Sequence, residues 1–222
     1  MKMPQIGFIF DWDGVVVDSS NLHEKSWKIL AKEINLPLLD THFKKGFGKR
    51  NSVIIPEILG WSQDKAKIEQ WGKRKEEIYR KLGEKSGIQI IDGIHDFLKE
   101  MKLNNIPAAI GTSTDRKNIE LAFEQHEIED FFQGAICAED VSQGKPHPEV
   151  FLKGADLLGL PPEQCVVFED SLHGIEAARR GGMKAVAFTT TQPASLLKGA
   201  GAHLIVDSPK ELIVISIAQL FN

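Results

Sequence analysis

Cysteine is scarce in this chain: Cys137 and Cys165 are the only two among 222 residues. Both stand in apolar, strand-like runs, so buried free thiols are expected rather than a disulfide or a metal pair, the usage of a reducing compartment. Long apolar runs are also missing. No run approaches the ~18 residues that a membrane-crossing helix requires. The first residues show no basic segment leading into an apolar one, so the expectation is a cytoplasmic protein with no membrane partner. Nor is there an excess of positive charge. Lys and Arg number 27 against 31 Asp and Glu, a formal net charge of −4, which excludes a global basic field for nucleic acid. The Lys-rich stretch from Lys65 to Lys85 is interleaved with Glu69, Glu76, Glu77 and Glu84, and reads as a solvated helix face. Two signatures are absent as well. Without a Gly-x-Ser-x-Gly elbow, Ser171 and His173 do not make a Ser/His hydrolase. Without Gly-x-x-x-x-Gly-Lys-Ser/Thr there is no nucleotide-binding phosphate loop.

What the chain does have is a change of texture. An apolar strand at 6–10 is followed by helical patterns at 21–34, ended by Pro37, and at 53–59 and 63–82, with no strand-like run between 18 and 87. From Gly93 onward helices and strands alternate: helices at 94–103, 116–127, 149–158 and 174–180 precede strands at 107–110, 134–138, 165–168 and 184–188. A strand at 204–206 and a helix from Pro209 close the chain. Such alternation predicts an α/β protein whose parallel sheet is covered on both faces. The all-helical block after strand 1 then becomes a cap: residues 1–16 and 88–222 form the core, and 17–87 the inserted small α-helical cap domain.

In open parallel sheets, ligands bind at the carboxyl ends of the strands. Strand 1 ends in Asp11-Trp12-Asp13-Gly14-Val15, the second in Thr112-Ser113-Thr114, and the fourth in Glu169-Asp170-Ser171, while Lys145 lies between Gly144 and Pro146. Each has an ordinary alternative. Asp-Gly after a strand is a turn, hydroxyls before a helix are N-caps, and a loop Lys is commonly solvated. Charge arithmetic joins them. A phosphate monoester brings about −2, and Asp11 and Asp170 add to it. One Mg²⁺ and Lys145 supply about +3, and Mg²⁺ takes carboxylate and phosphate oxygens. Covalent phosphoryl transfer follows, with Asp11 attacking phosphorus and Asp13 moving the proton. Lys145 and Mg²⁺ stabilise the equatorial oxygens, and the hydroxyls and amides at Thr112, Ser113 and Thr114 form an anion site.

Taken together, Asp11-x-Asp13-Gly14-Val15, Thr112, Lys145 and Glu169-Asp170 resemble the four motifs of the haloacid dehalogenase (HAD) superfamily. Gly144-Lys145-Pro146-His147-Pro148-Glu149-Val150-Phe151 and Phe168-Glu169-Asp170-Ser171-x-x-Gly174 resemble its subfamily with a small helical cap. The resemblance covers essentially the whole chain. It implies a Rossmann-like core with Mg²⁺ held by Asp11, the backbone of Asp13, and Asp170, with Glu169 close by. It also implies a phosphotransferase rather than a dehalogenase, because Asp13 is present. The cap resembles that of β-phosphoglucomutase and its sugar-phosphate phosphatase relatives. His23, Trp27, Gly46, Ser52 and Lys75 fall where the mutase has its hinge or proton-gating His and its substrate-contacting cap residues. Where the mutase pattern is Gly-x-Ser-Arg, this chain has Gly46-Phe47-Gly48-Lys49-Arg50. Lys49 takes the Arg position and Arg50 comes one residue late, and Lys cannot offer a phosphate the planar fork of Arg. The expectation is therefore a monomeric Mg²⁺-dependent phosphatase of a small phosphorylated metabolite, the alternative being a sugar phosphomutase using the same aspartyl phosphate.

Overall fold

Residues 5–46 and 48–221 are described in a computed structural model of the chain; Phe47, within the cap motif, lies outside the described residues. The chain begins with β1 (Gly7–Phe10) and β2 (Val17–Asp18). It then runs through α1 (Ser20–Glu33), α2 (Asp40–Gly46), α3 (Asn51–Val53), a π-helical turn at Ile54–Ile58, and α4 (Lys65–Ser86). β3 (Gln89–Ile90) pairs antiparallel with β2, so the helical excursion leaves and re-enters side by side. There follow α5 (Ile94–Leu103), β4 (Ala108–Gly111), α6 (Arg116–His126), β5 (Ala135–Ile136), α7 (Glu149–Leu158), β6 (Cys165–Glu169), α8 (Leu172–Arg180), β7 (Lys184–Phe188), α9 (Ala194–Ala200), β8 (Leu204–Val206) and α10 (Val214–Ala218).

Six of the strands form one parallel sheet in the order β5-β4-β1-β6-β7-β8. The order reverses between β1 and β6, which opens the crevice where such sheets bind ligands. This is the expected Rossmann-like core with a helical cap after its first strand. β1 is apolar throughout because helices cover both its faces. Phe8 and Phe10 pack with Phe97 and Phe168 on one side, the Phe10 and Phe168 rings stacked at 4.5 Å, while Ile9 joins Phe151 and Val167 on the other. A separate cluster of Trp27, Leu30, Ile54, Ile55 and Ile78 sits within the cap helices.

Several expectations change. Pro37 does not end α1. Asn35 does, by entering the left-handed region (φ 55°), after which the Leu36 N–H reaches Ala31 O at 2.9 Å. The pattern at 53–59 is an α-turn running into a π-turn, at Pro56, which has no N–H to give. At Pro209 a 3₁₀ turn capped by Ser208 comes first, and α10 starts at Val214. The short helices α2 and α9 and the β2–β3 pair carry too little periodicity to be read from sequence. The Lys-rich face of α4 is not uniformly solvated, because Lys75 and Glu76 are buried. Cys137 and Cys165 are buried free thiols as expected. Among the described residues no helix is long and apolar enough to cross a membrane.

Candidate active site

Adjacent parallel strands bring the acidic groups together. The Asp11 N–H donates to Phe168 O at 2.9 Å, which holds the end of β1 beside the end of β6. One oxygen from each of Asp11, Glu169 and Asp170 then falls within 4.8 Å of the others, and all three residues are buried. Two glycines make this approach possible. Gly14 has φ +78°, and a Cβ there would collide with the Asp170 carboxylate; a Cβ on Gly174 would collide with that of Glu169. Lys145 is not the solvated loop Lys that composition favours. Its side chain is buried, with Nζ 2.7 Å from Glu169 Oε1 and 3.0 Å from Asp11 Oδ1. Even so, Asp11 Oδ1 makes no well-aligned hydrogen bond.

Burial, aided by Glu169 and Asp13 and opposed by Lys145, pushes Asp11 up to about 8. Burial and the charges of Glu169 and Asp11 push Asp170 well above the carboxylate range. For Glu169 the burial is outweighed by Lys145 and by hydrogen bonds, including those from the Asp170 and Ser171 N–H groups at 2.8 and 2.6 Å, so it stays low. One ammonium therefore faces three buried carboxylates, a set left short of positive charge. All-oxygen donors with one unaligned oxygen suit a hard divalent cation.

Asp13 points away from that cluster, towards the cap. Ser19 Oγ donates to its Oδ1 at 2.5 Å, and His23 Nε2 lies 3.1 Å from the same oxygen. Lys75 Nζ is 2.5 Å from His23 Nδ1. An ammonium only donates, so Nδ1 accepts and Nε2 carries the hydrogen aimed at Asp13. Lys75 also donates to Glu76 at 2.9 Å, and Glu76 accepts from Asn51 at 2.7 Å and from Asn118 at 2.8 Å. Burial would raise Asp13, but His23, Ser19 and Lys75 outweigh it and hold the carboxyl low; Glu76 is held low against burial by Lys75, His23 and its hydrogen bonds.

The other expected residues divide. Ser113, Thr114, His23, Trp27, Gly46, Lys49 and Lys75 line one cavity with Asp13. Thr112 is buried beside it, its hydroxyl accepting from the Thr114 N–H at 3.2 Å. Arg50 and Ser52 do not line it but border a neighbouring groove. The Arg50 guanidinium instead donates to the carbonyls of Ala138, of Val141 at 2.6 Å and of Ser142 at 3.4 Å. Ser52 is exposed because α3 turns it outward. Sequence reasoning missed Ser19, Asn51, Glu76 and Asn118. The available signal was the position of Lys75 and Glu76 one turn before the buried Tyr79 on α4, which places them on its inward face.

The family model for haloacid dehalogenase-like hydrolases matches residues 8–188. The 5-amino-6-(5-phospho-D-ribitylamino)uracil phosphatase of Arabidopsis thaliana, a chloroplastic protein, is 36% identical over 97% of this chain, which spans only 57% of that relative's length. The β-phosphoglucomutase of Bacillus subtilis is 30% identical over 92% of this chain and 90% of its own. Among solved structures, β-phosphoglucomutase from Clostridium difficile superposes with a TM-score of 0.87 at 27% identity, over 99% of this chain and 98% of that one. With a match across most of its length, and relatives that include phosphatases and phosphomutases, the chain is an enzyme belonging to the haloacid dehalogenase-like hydrolase family.

Proposed function

We propose that the chain is a Mg²⁺-dependent phosphatase of a small, sugar-phosphate-like monoester, working through a phosphorylated Asp11. The observation that carries this reading is the buried trio Asp11, Glu169 and Asp170 beside a single Lys145. Mg²⁺, held by Asp11, Asp170 and the backbone of Asp13 with Glu169 behind them, would supply charge to the phosphate oxygens and keep the two aspartates ionised. An Asp11 oxygen attacks phosphorus, the ester P–O bond breaks, and its electron pair stays on the leaving oxygen, which takes a proton from Asp13. Water then gives a proton to Asp13 and attacks the same phosphorus, releasing inorganic phosphate and Asp11. Lys145 and the Thr112 to Thr114 segment hold the phosphate. With no substrate present the surroundings favour the Asp13 carboxylate. The arriving dianion acts in the opposite sense, since like charge favours the protonated form.

Hydrolysis is favoured over mutase chemistry by Arg50. A mutase must grip a second phosphate, and the guanidinium that would do so here is bonded to the carbonyls of 138–142. The mutase reading rests on the retained Asp13–His23–Lys75 chain. The phosphorylated ribitylaminopyrimidine named for the Arabidopsis relative belongs in the substrate panel beside simple sugar phosphates. The test is to supply β-glucose 1-phosphate with Mg²⁺ and a trace of glucose 1,6-bisphosphate, and to follow glucose 6-phosphate and inorganic phosphate together. Phosphate release in excess is expected; glucose 6-phosphate forming many times faster would establish the mutase reading instead.

A further inference from the structure

One fully buried amide joins the core to the cap beneath the site. Asn118, on the first turn of α6, has both of its side-chain hydrogens and its oxygen engaged. Its Nδ2 donates to Glu76 Oε2 at 2.8 Å and to Thr114 Oγ1 at 3.2 Å, and its Oδ1 accepts from Arg80 at 3.0 Å. A guanidinium only donates, so Arg80 fixes which way round the amide lies. Glu76 and Arg80 stand four residues apart on α4, hence on one face of it, and Asn118 spans two turns of that cap helix from the core. The other charged groups about it are Lys75, behind Glu76, and Asp115, 3.8 Å from Arg80 at the start of α6.

From Glu76 the contacts run on to Asp13. Glu76 Oε1 accepts from Lys75 at 2.9 Å, Lys75 Nζ reaches His23 Nδ1 at 2.5 Å, and His23 Nε2 lies 3.1 Å from Asp13 Oδ1. Resting on the proton-moving role given to Asp13 above, we propose that Asn118 is a positioning residue for that proton transfer. By fixing the plane of the Glu76 carboxylate it keeps Lys75 on His23 Nδ1, and so keeps the Nε2 hydrogen aimed at Asp13. Without the amide, Glu76 Oε2 loses its donor while still buried, a costly state that the carboxylate relieves by turning. Lys75 turns with it. The imidazole then loses the ammonium that dictates its tautomer, and Asp13 loses the hydrogen that orients it.

The experiment compares esters that differ in their need for an acid. A sugar phosphate leaves as a basic alkoxide and needs the proton, whereas p-nitrophenyl phosphate and acetyl phosphate leave as weak bases and need little of it. With Mg²⁺ present, Asn118→Leu should lower kcat/KM for the sugar phosphate about 10- to 100-fold, and hardly change it for the other two. Equal losses on both kinds would place the fault in folding or in the Thr114 anion site and overturn the proposal; no loss on either would overturn it too. Asn118→Asp serves where Asn118→Leu does not fold. There the new carboxyl faces Glu76, the two cannot both ionise so close together, and a shared proton restores the missing donor. The sugar-to-aryl ratio of kcat/KM, taken against the wild type at each pH, should recover on acidification, and a ratio indifferent to pH overturns the proposal. The ring nitrogens of His23, read by nitrogen NMR, give an answer without turnover. In the wild type Nδ1 is bare and Nε2 protonated; in Asn118→Leu the two shifts should move toward each other, and unchanged shifts overturn the proposal. If the wild type cleaves no aryl or acyl ester, the His23 shifts decide. If it cleaves no ester at all, the phosphatase reading falls as well, and the His23 shifts still decide this proposal.

Discussion

The two ends of the site hold the same kind of group in opposite conditions. At the core end, Asp11 and Asp170 are buried with one ammonium for three carboxylates, and both are pushed up. At the cap end, Glu76 is as deeply buried and Asp13 only somewhat more exposed, yet both are held low, because Lys75, His23, Ser19, Asn51 and Asn118 meet their oxygens. For Glu76, as buried as Asp11, burial is therefore not what makes the difference; the supply of partners is. The core end is left short of positive charge, whereas the cap end supplies its own and aims one hydrogen at Asp13.

That contrast is broken most severely at the nucleophile. Asp11→Asn should lower phosphate release by about 10³-fold or more, with circular dichroism unchanged; several per cent of residual turnover would remove Asp11 from its role. The cap end should fail differently. Lys75→Met leaves the buried Glu76 carboxylate without its ammonium, and urea unfolding should show a loss of about 3 kcal/mol. A loss below about 1 kcal/mol would mean that the cap network does not depend on its ammonium. The proposed Mg²⁺ site sharpens the comparison without any assay of turnover. Mg²⁺ at about 100 times its Kd should stabilise the wild type by about 2.7 kcal/mol, seen as a raised Tm that chelator reverses. Asp170→Asn should raise the Tm of the metal-free protein yet lose the response to Mg²⁺, so an unchanged response would count against that ligand set.

The smallest effect lies in the groove beside the cap end. Burial, with Glu76 and Glu139, lifts Asp115 from 3.8 to about 6. A carboxyl that binds its proton more tightly when folded contributes stability below about pH 4, and that contribution fades as pH rises through about 6. Asp115→Asn should flatten the pH dependence of the urea midpoint across this window, and an unaltered slope would place the titration elsewhere.

Much of this was legible in the sequence where local pattern and tertiary role coincide. α5, α7, β7 and β8 fall where periodicity puts them, and the acids at the ends of β1 and β6 are adjacent because the strand order reverses there. What stayed hidden depends on partners distant in sequence. Nothing near Lys75 or Glu76 announces Asn118, and the charge alternation of α4 looks the same whether a given Lys faces water or His23. Arg50 is the converse case. Its position suggested a phosphate grip, but the carbonyls of 138–142, which no local pattern ties to it, take the guanidinium first. Lys145 hides for the same reason: a residue flanked by Gly and Pro reads as surface loop until Phe151 and Glu169 close over it.

The central place of β1 also bears on the order in which this molecule comes into being. Both neighbours of Gly7–Phe10 arrive from downstream, Ala108–Gly111 on one edge and Cys165–Glu169 on the other. A chain emerging from the ribosome therefore exposes an apolar strand with open edges while all the cap helices are made, and those helices have an apolar cluster of their own to gather around. Asp11 is synthesised well before Lys145, Glu169 and Asp170, and the two acids at the end of β6 can join it only once that strand has docked beside β1. An unfinished chain therefore carries the apolar strand without the chemistry, and a chain interrupted before Cys165 is expected to aggregate rather than to react.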